Sequence, residues 1–236
     1  MPLLQTEPGE IPLFPDIHEL AGKVRFSPAT GRIRLHDSRM VLVPDFMLAD
    51  LRYEIIQALG IERARQMYMR IGYYQGTHDA AMLRDHAGPA RRGALIASGP
   101  QLAAIQGLLA SDPGQFAIDV REGRFHADHP WGESVEAQAH LSRFGTSNYP
   151  VCWRLTGYAS GIASELMGEP VLFREVECAA MGHARCRGVG RPIRDWGDDI
   201  GDAGFLEIEP FVNAFAAGRP GGTAGMRRRR PAAGSP

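Results

Sequence analysis

Hydrophobic positions divide the chain into segments of different period. Val24 and Phe26 alternate with polar residues, lead into Ser27-Pro28-Ala29-Thr30-Gly31, and the alternation resumes at Ile33 and Leu35, which predicts a hairpin within residues 24–43. The apolar run Met40–Val43 stops at Pro44. From Phe46 the period becomes helical: Leu48, Leu51, Ile55 and Leu59 form one stripe, and Gly60 stands where a C′ glycine ends a helix. A second helix is expected from Ile61 to about Leu83, burying Ala64, Met67, Tyr68, Ile71 and Tyr74. Gly72 and Gly76, one turn apart on it, mark a close helix approach, either inside the chain or at a dimer face.

Ser98-Gly99-Pro100-Gln101 has the form of a helix start: Ser98 as cap, Gln101 completing a capping box, Pro100 tolerated in the first turn. Leu102, Ile105, Leu108 and Leu109 would then face the core. Phe116, Ile118 and Val120 alternate as a strand that turns at 121–124 into a second strand at Phe125. Ser134 caps a helix through Phe144, ended by Gly145, and Pro150 opens another that ends at Gly168. Residues 170–178 read as a strand, 179–184 as a small-residue loop, and 186–189 as a final strand. An apolar helix is expected around Phe205–Phe215, before a low-complexity tail from Gly218.

Composition changes this picture little. The 236 residues are 44% hydrophobic and 22% charged, enough for a substantial core and unlike a disordered chain. No apolar run approaches the roughly 18–20 residues of a membrane span, and the acidic, proline-containing start does not resemble a secretory signal. A soluble cytoplasmic protein is expected. The net charge is -1, and Lys23 is the only lysine among 26 basic residues, a skew spread along the whole chain. Arg227–Arg230 lack interleaved aromatics and read as a solvated linker feature rather than a nucleic-acid patch.

The candidate chemistry lies in Cys152, Cys178 and Cys186. An odd number of cysteines argues against a disulfide framework. Three thiolates need a fourth donor to complete a tetrahedral zinc site, and Glu175, Glu177 and His183 are the local candidates. Strand alternation puts Glu175 on the face opposite Cys178, so a twist or bulge would be needed to bring them together, whereas His183 in the loop has no such restriction. The spacing leaves two readings open: a zinc site, or three inert buried cysteines.

The stretch YPVCWRLTGYASGIASELMGEPVLFREVECAAMGHARCRGVGRP resembles the sensor domain of the XylR/DmpR type of sigma-54-dependent activators, with its vinyl-reductase-like module. SGPQLAAIQG, LADLRYEIIQALGIERARQMYMRIGYYQG and RLHDSRMVLV extend the resemblance over roughly residues 20–196. It implies a structural zinc held by Cys152, Glu175, Cys178 and Cys186, with His183 left out, in a lobe spanning about 150–190. It also implies a pocket for a small aromatic effector, with Trp131 as the family's tryptophan and an expected lining of Ile96, Ala103, Leu108, His129, Trp131, Ile162 and Phe173. In the phenol sensors of this family a histidine follows the Gly-Pro-Gln-Leu motif; here that position is Ala103. A methyl group there points to an apolar ring such as benzene, toluene, xylene or a biaryl, while His129 keeps a phenol open as the alternative. Trp131 and His129 could also be ordinary core residues.

The fold class expected is α+β: an antiparallel sheet packed by helices, with a zinc-clamped C-terminal lobe and an N-terminal hairpin. Residues 1–19 form an extended segment, 20–196 the sensor, and 197–236 a linker. The resemblance implies a homodimer through the hairpin and the 46–83 helices. It also implies relief of repression of an adjoining AAA+ ATPase on effector binding. No Walker lysine or helix-turn-helix is present, so the ATPase and DNA-binding parts are expected elsewhere, and this chain is expected to bind neither nucleic acid nor membrane. No acid/base or nucleophile constellation supports an enzyme. An interaction module without a small-molecule ligand is the competing reading.

Overall fold

The computed structural model describes residues 17–87, 95–96, 98–111 and 114–197. The helix expected near 205–215 and the tail lie outside them. A short helix α1 (Ile17–Ala21) precedes a three-stranded antiparallel sheet of β1 (Val24–Ser27), β2 (Arg32–Leu35) and β3 (Ser38–Met40). Two helices follow, α2 (Asp45–Leu59) and α3 (Ile61–Ala87), separated at Gly60. Then come α4 (Gly99–Ile105), β4 (Ala110–Ser111), β5 (Gln115–Asp119), β6 (Arg124–Gly132), α5 (Val135–Phe144), α6 (Trp153–Met167), β7 (Val171–Glu177) and β8 (Cys186–Pro192). The second sheet runs β4-β6-β8-β7, with β5 also paired to β6, and every pairing is antiparallel. The architecture is thus α+β, with helices covering antiparallel sheets.

The crossing of α3 and α6 is the tightest contact in the molecule. A Cβ placed on Gly72 would lie 1.9 Å from the Arg154 carbonyl oxygen, and one on Gly157 would lie 2.1 Å from that of Met69. Gly76 and Gly161 repeat the relation one turn on, against Tyr158 and Tyr73. The glycine pair Gly72 and Gly76 therefore serves packing inside the chain. That crossing also turns α3 away from the expected face: Ala64, Met69 and Tyr73 are buried, while Ile71 and Tyr74 are exposed and Met67 and Tyr68 half-buried. On α2 the expected leucine stripe is likewise displaced. Leu51 and Leu59 are exposed, and Ala49, Arg52 and Ile56 face inward.

Arg52 is 2% exposed, and its burial is chemically complete on one side. It donates to Glu136 at 3.1 Å and to the Val151 carbonyl at 2.8 Å, and its guanidinium lies 4.0 Å from the Trp153 ring centroid. Glu136 in turn accepts from the backbone N–H groups of Arg154 and Leu155, at 3.0 and 2.8 Å. These are orphan donors of the first turn of α6, where the helix dipole favours a carboxylate. One ion pair thus joins α2, α5 and the start of α6.

At the other end of α6, serines replace missing ladder partners of edge strand β7. Ser164 Oγ accepts from Val171 N at 2.9 Å and donates to its carbonyl, while Ser160 Oγ accepts from Phe173 N at 2.9 Å. Ser134 caps α5 as expected, accepting from Ala137 N. Ser98 does not cap α4: it has helical φ/ψ, and its side chain makes no cap hydrogen bond. A residue already in the helical region cannot aim its oxygen back at the first turn.

Candidate functional site

Phe125, Ala127, His129 and Trp131 alternate to one buried face of β6. The facing strand β8 carries glycine opposite them. A Cβ on Gly188 would fall 2.1 Å from the Trp131 ring, and one on Gly190 would fall 2.5 Å from the Phe173 ring. Two bare backbone positions thus form a bed on which both aromatic rings lie flat, as isolated strand glycines often do. His129 packs against Phe116, ring centroids 5.7 Å apart. Across from this wall stand α4 and α6.

Between these layers lies a cavity lined by Ile96, Ala103, His129, Trp131, Ile162 and Phe173, and also by Gly99, Leu109, Phe116, Leu155, Tyr158 and Ala163 among others. Its volume is about 30 Å³ on the scale where one water needs about 10–15 Å³, so it holds the equivalent of about two or three waters. The walls are apolar except for the His129 imidazole, the Trp131 indole N–H and the Tyr158 hydroxyl. The last sits beside the Asp79 carboxyl of α3, which pushes its ionisation up together with burial. Burial also raises Asp79, which accepts from Gln106 at 2.6 Å.

Leu108 is the one expected lining residue outside the cavity; Leu109 takes its place. The helix stops at Ile105, Gly107 adopts φ +72°, and the Leu108 carbonyl accepts from Val135 N at 3.1 Å. Helical spacing beyond residue 105 therefore does not hold. Leu155, Tyr158, Ala159 and Ala163 were missed by the sequence reading, although they share the i, i+4 pattern of Ile162 on α6.

The cysteines converge beside this cavity. The ligand atoms of Cys152, Glu175, Cys178 and Cys186 all lie within 4.8 Å of one another and could hold a metal ion. Cys152 is the N-cap of α6, one position outside the first turn in which the sequence placed it. Cys178 follows β7, and Cys186 opens β8, directly across the ladder from Trp131. The required distortion exists: the β7–β8 register shifts between Glu175 and Glu177. Glu177 leaves the cluster and pairs with Arg187 at 2.9 Å. His183 is exposed and hydrogen-bonds to the backbone of Cys178.

The electrostatics of the four donors are those of a cation site. Glu175 Oε2 accepts from Cys152 N at 2.8 Å, while its buried Oε1 has no hydrogen-bond partner. Burial, then the charge on Cys178, pushes the Glu175 carboxyl up to about 8. Hydrogen bonds from Cys152 and Cys186 hold the Cys178 thiol far below its usual range, and burial drives Cys152 well above it. Such a set accumulates negative charge only against resistance, and a divalent ion would remove that conflict.

Residues 19–119 match a family described as "Activator of aromatic catabolism", and residues 131–192 match the vinyl-reductase-type domain family. The transcriptional regulatory protein XylR of Pseudomonas putida is 34% identical over 198 residues, covering 84% of this chain and 35% of that protein. The phenol regulator MopR of Acinetobacter guillouiae is 34% identical over 181 residues, covering 77% of this chain and 32% of MopR. The chain therefore spans about a third of the length of these two regulators. The phenol-responsive sensory domain of the transcription activator PoxR, solved with phenol, superposes with a TM-score of 0.75 at 35% identity. That match covers 81% of this chain and 95% of the PoxR domain. With a solved relative matched over nearly its whole length and both halves of the described fold assigned, the chain belongs to the XylR-type family of sensory domains from transcriptional activators of aromatic catabolism.

Proposed function

We propose that the chain senses a single-ring aromatic effector of the phenol type, bound in the cavity between β6, α4 and α6. The observation that carries this reading is the placement of His129 and Trp131 two residues apart on the same face of β6, both lining the cavity. An indole N–H and an imidazole on one wall can address one hydroxyl while the ring meets Ile162, Phe173 and Ala103. MopR and PoxR, both named for phenol, carry the same domain. The small volume favours one ring over a biaryl.

A hydrocarbon effector is the second reading, favoured by the methyl group of Ala103, buried at the position where phenol sensors carry histidine. Competitive calorimetry separates the two. Phenol binding at least about tenfold tighter than toluene, with the gap closed by His129→Phe, supports the first; tighter toluene binding overturns it.

The four-ligand cluster is read as a structural zinc site. Three thiolates and one carboxylate suit zinc, and a closed set leaves no position for substrate. When bound, the ion would neutralise the cluster and tie the start of α6 to the ends of β7 and β8. Metal analysis of the purified chain should return one zinc per chain, and Cys186→Ser should abolish it.

In a full-length activator the domain would hold an ATPase output in check until the effector binds. A homodimer is favoured by the apolar exposure around the hairpin and α2, where Phe26, Val41, Leu42 and Phe46 are each more than 60% exposed. Sedimentation of the chain should give a dimer that Leu42→Asp with Phe46→Asp dissociates. Relatives of this domain serve as regulators, so the domain is proposed to act by binding and not by turnover. Among the described residues no helix is long and apolar enough to cross a membrane.

A further inference from the structure

The first sheet has two faces of opposite character. Cross-strand pairing sets Arg25 opposite Arg34 and Arg34 opposite Arg39, so three arginines form a row across β1, β2 and β3. Arg32 lies two residues before Arg34 and therefore on the same face. All four are exposed. The other face carries Val24, Phe26, Ile33, Leu35 and Met40. Like charges directly opposite one another destabilise a sheet.

Elsewhere the partly or fully exposed arginines find carboxylates: Arg84 with Glu165, Arg124 with Asp119, Arg187 with Asp128 and Glu177, Arg194 with Glu169. Among the described residues the sheet arginines have no such pairing. Arg34 and Arg39 donate to backbone carbonyls of Asp37 and Gly31. Four cations on one sheet face, without an acid, form an anion-binding surface.

We propose that this face docks the acidic segment of the same chain that follows Gly197. Residues 195–209 contain Asp195, Asp198, Asp199, Asp202, Glu207 and Glu209, and no base occurs until Arg219. The segment is the complement of the sheet face in sign, with carboxylates enough for every guanidinium. Its tether makes weak pairing sufficient: at the millimolar effective concentration of a short flexible link, an intrinsic Kd near 0.1 mM keeps the segment docked about nine-tenths of the time. Exposed ion pairs of this kind are screened by salt, so docking responds to ionic strength. In a full-length activator the face would hold the stretch leading toward the output domain, separately from the apolar face assigned above to the dimer.

Millisecond amide exchange of the full chain, read on peptides covering 198–212, tests this. At low salt these amides should exchange about tenfold more slowly than in 0.5 M salt. Arg25→Gln, Arg34→Gln and Arg39→Gln together should remove that protection without unfolding the sheet. A charge swap, with the same three arginines changed to Glu and Asp198, Asp199 and Asp202 changed to Arg, should restore it. Exchange that is equal in wild type and the glutamine variant overturns the proposal. So does arginine-dependent binding of duplex DNA with no change in the 198–212 amides, which would assign the face to phosphate.

Discussion

Gly157→Ala probes the packing on which the cavity depends. The added Cβ would lie 2.1 Å from the Met69 carbonyl oxygen, and 2.8 and 2.9 Å from that residue's carbonyl carbon and Cα. All three are backbone atoms of α3, so no side-chain rotation relieves the clash. To reach ordinary van der Waals contact near 3.4 Å, the two helices must part by roughly 1.3 Å, a gap that forfeits a quarter to a half of the dispersion energy along their interface. Overpacking of this kind costs about 1–3 kcal/mol or more, against a gain of about 1 kcal/mol from replacing a helical glycine. A net loss of about 2 kcal/mol lowers Tm by about 4–8 °C for a domain of this size. The moving helix carries Tyr158 and Ile162, so effector affinity should fall as well. Gly99→Ala is the control, because its Cβ meets only the Ile162 side chain, at 3.2 Å. Differential scanning fluorimetry with and without effector reads both quantities. A Gly157→Ala protein melting within about 1 °C of wild type would refute the close-packed crossing.

Four further outcomes follow from the same geometry. Ala103→His adds a polar partner to the cavity and should raise phenol affinity about tenfold while weakening toluene binding, measured by calorimetry. Glu136→Leu leaves Arg52 buried without its carboxylate and strips the first turn of α6 of its acceptor; about 3–5 kcal/mol of stability should be lost in urea unfolding. His140, 2% exposed, is lowered from 6.5 to about 4 by burial and then by Arg52. The unfolded chain therefore takes up a proton below pH 6.5 that the folded chain refuses until about pH 4. Stability falls by up to about 3 kcal/mol across that window and is unaffected above it, and His140→Phe should flatten the profile. Chelation of the metal should weaken effector binding along with stability, since Cys186 sits opposite Trp131 and Glu175 two residues from Phe173. Bound effector should slow metal loss reciprocally, as followed with a chromogenic chelator.

The elements were legible where one local signal decided them. The Ser134 cap and Gly145 stop bracket α5, and the turn at 121–124 separates β5 from β6 much as the alternation implied. Faces were less legible, because bulk is a poor guide where backbones touch. Ile71 and Tyr74 look like core residues of α3, yet the glycines one turn apart mark the side that meets α6. A buried Arg52 breaks the α2 stripe for a reason that lies 84 residues away at Glu136. Of the site, the cysteines and Trp131 stood out by residue type. Glu175 needed a bulge at Val176 that no alternation pattern announces. Leu108 failed because the helix ended three residues before it, and the glycine bed of β8 escaped notice although paired strand glycines are a sign of close approach.

The central claim, a zinc-clamped lobe presenting an aromatic effector to His129 and Trp131, is tested most directly by a crystal structure with phenol, recorded across the zinc absorption edge. The account predicts one anomalous peak among Cys152, Glu175, Cys178 and Cys186. It also predicts a single ring between Ala103, Ile162 and Phe173, its hydroxyl within hydrogen-bond distance of the Trp131 indole or the His129 imidazole. A cluster without anomalous signal at the zinc edge, or phenol bound anywhere but this cavity, would contradict it.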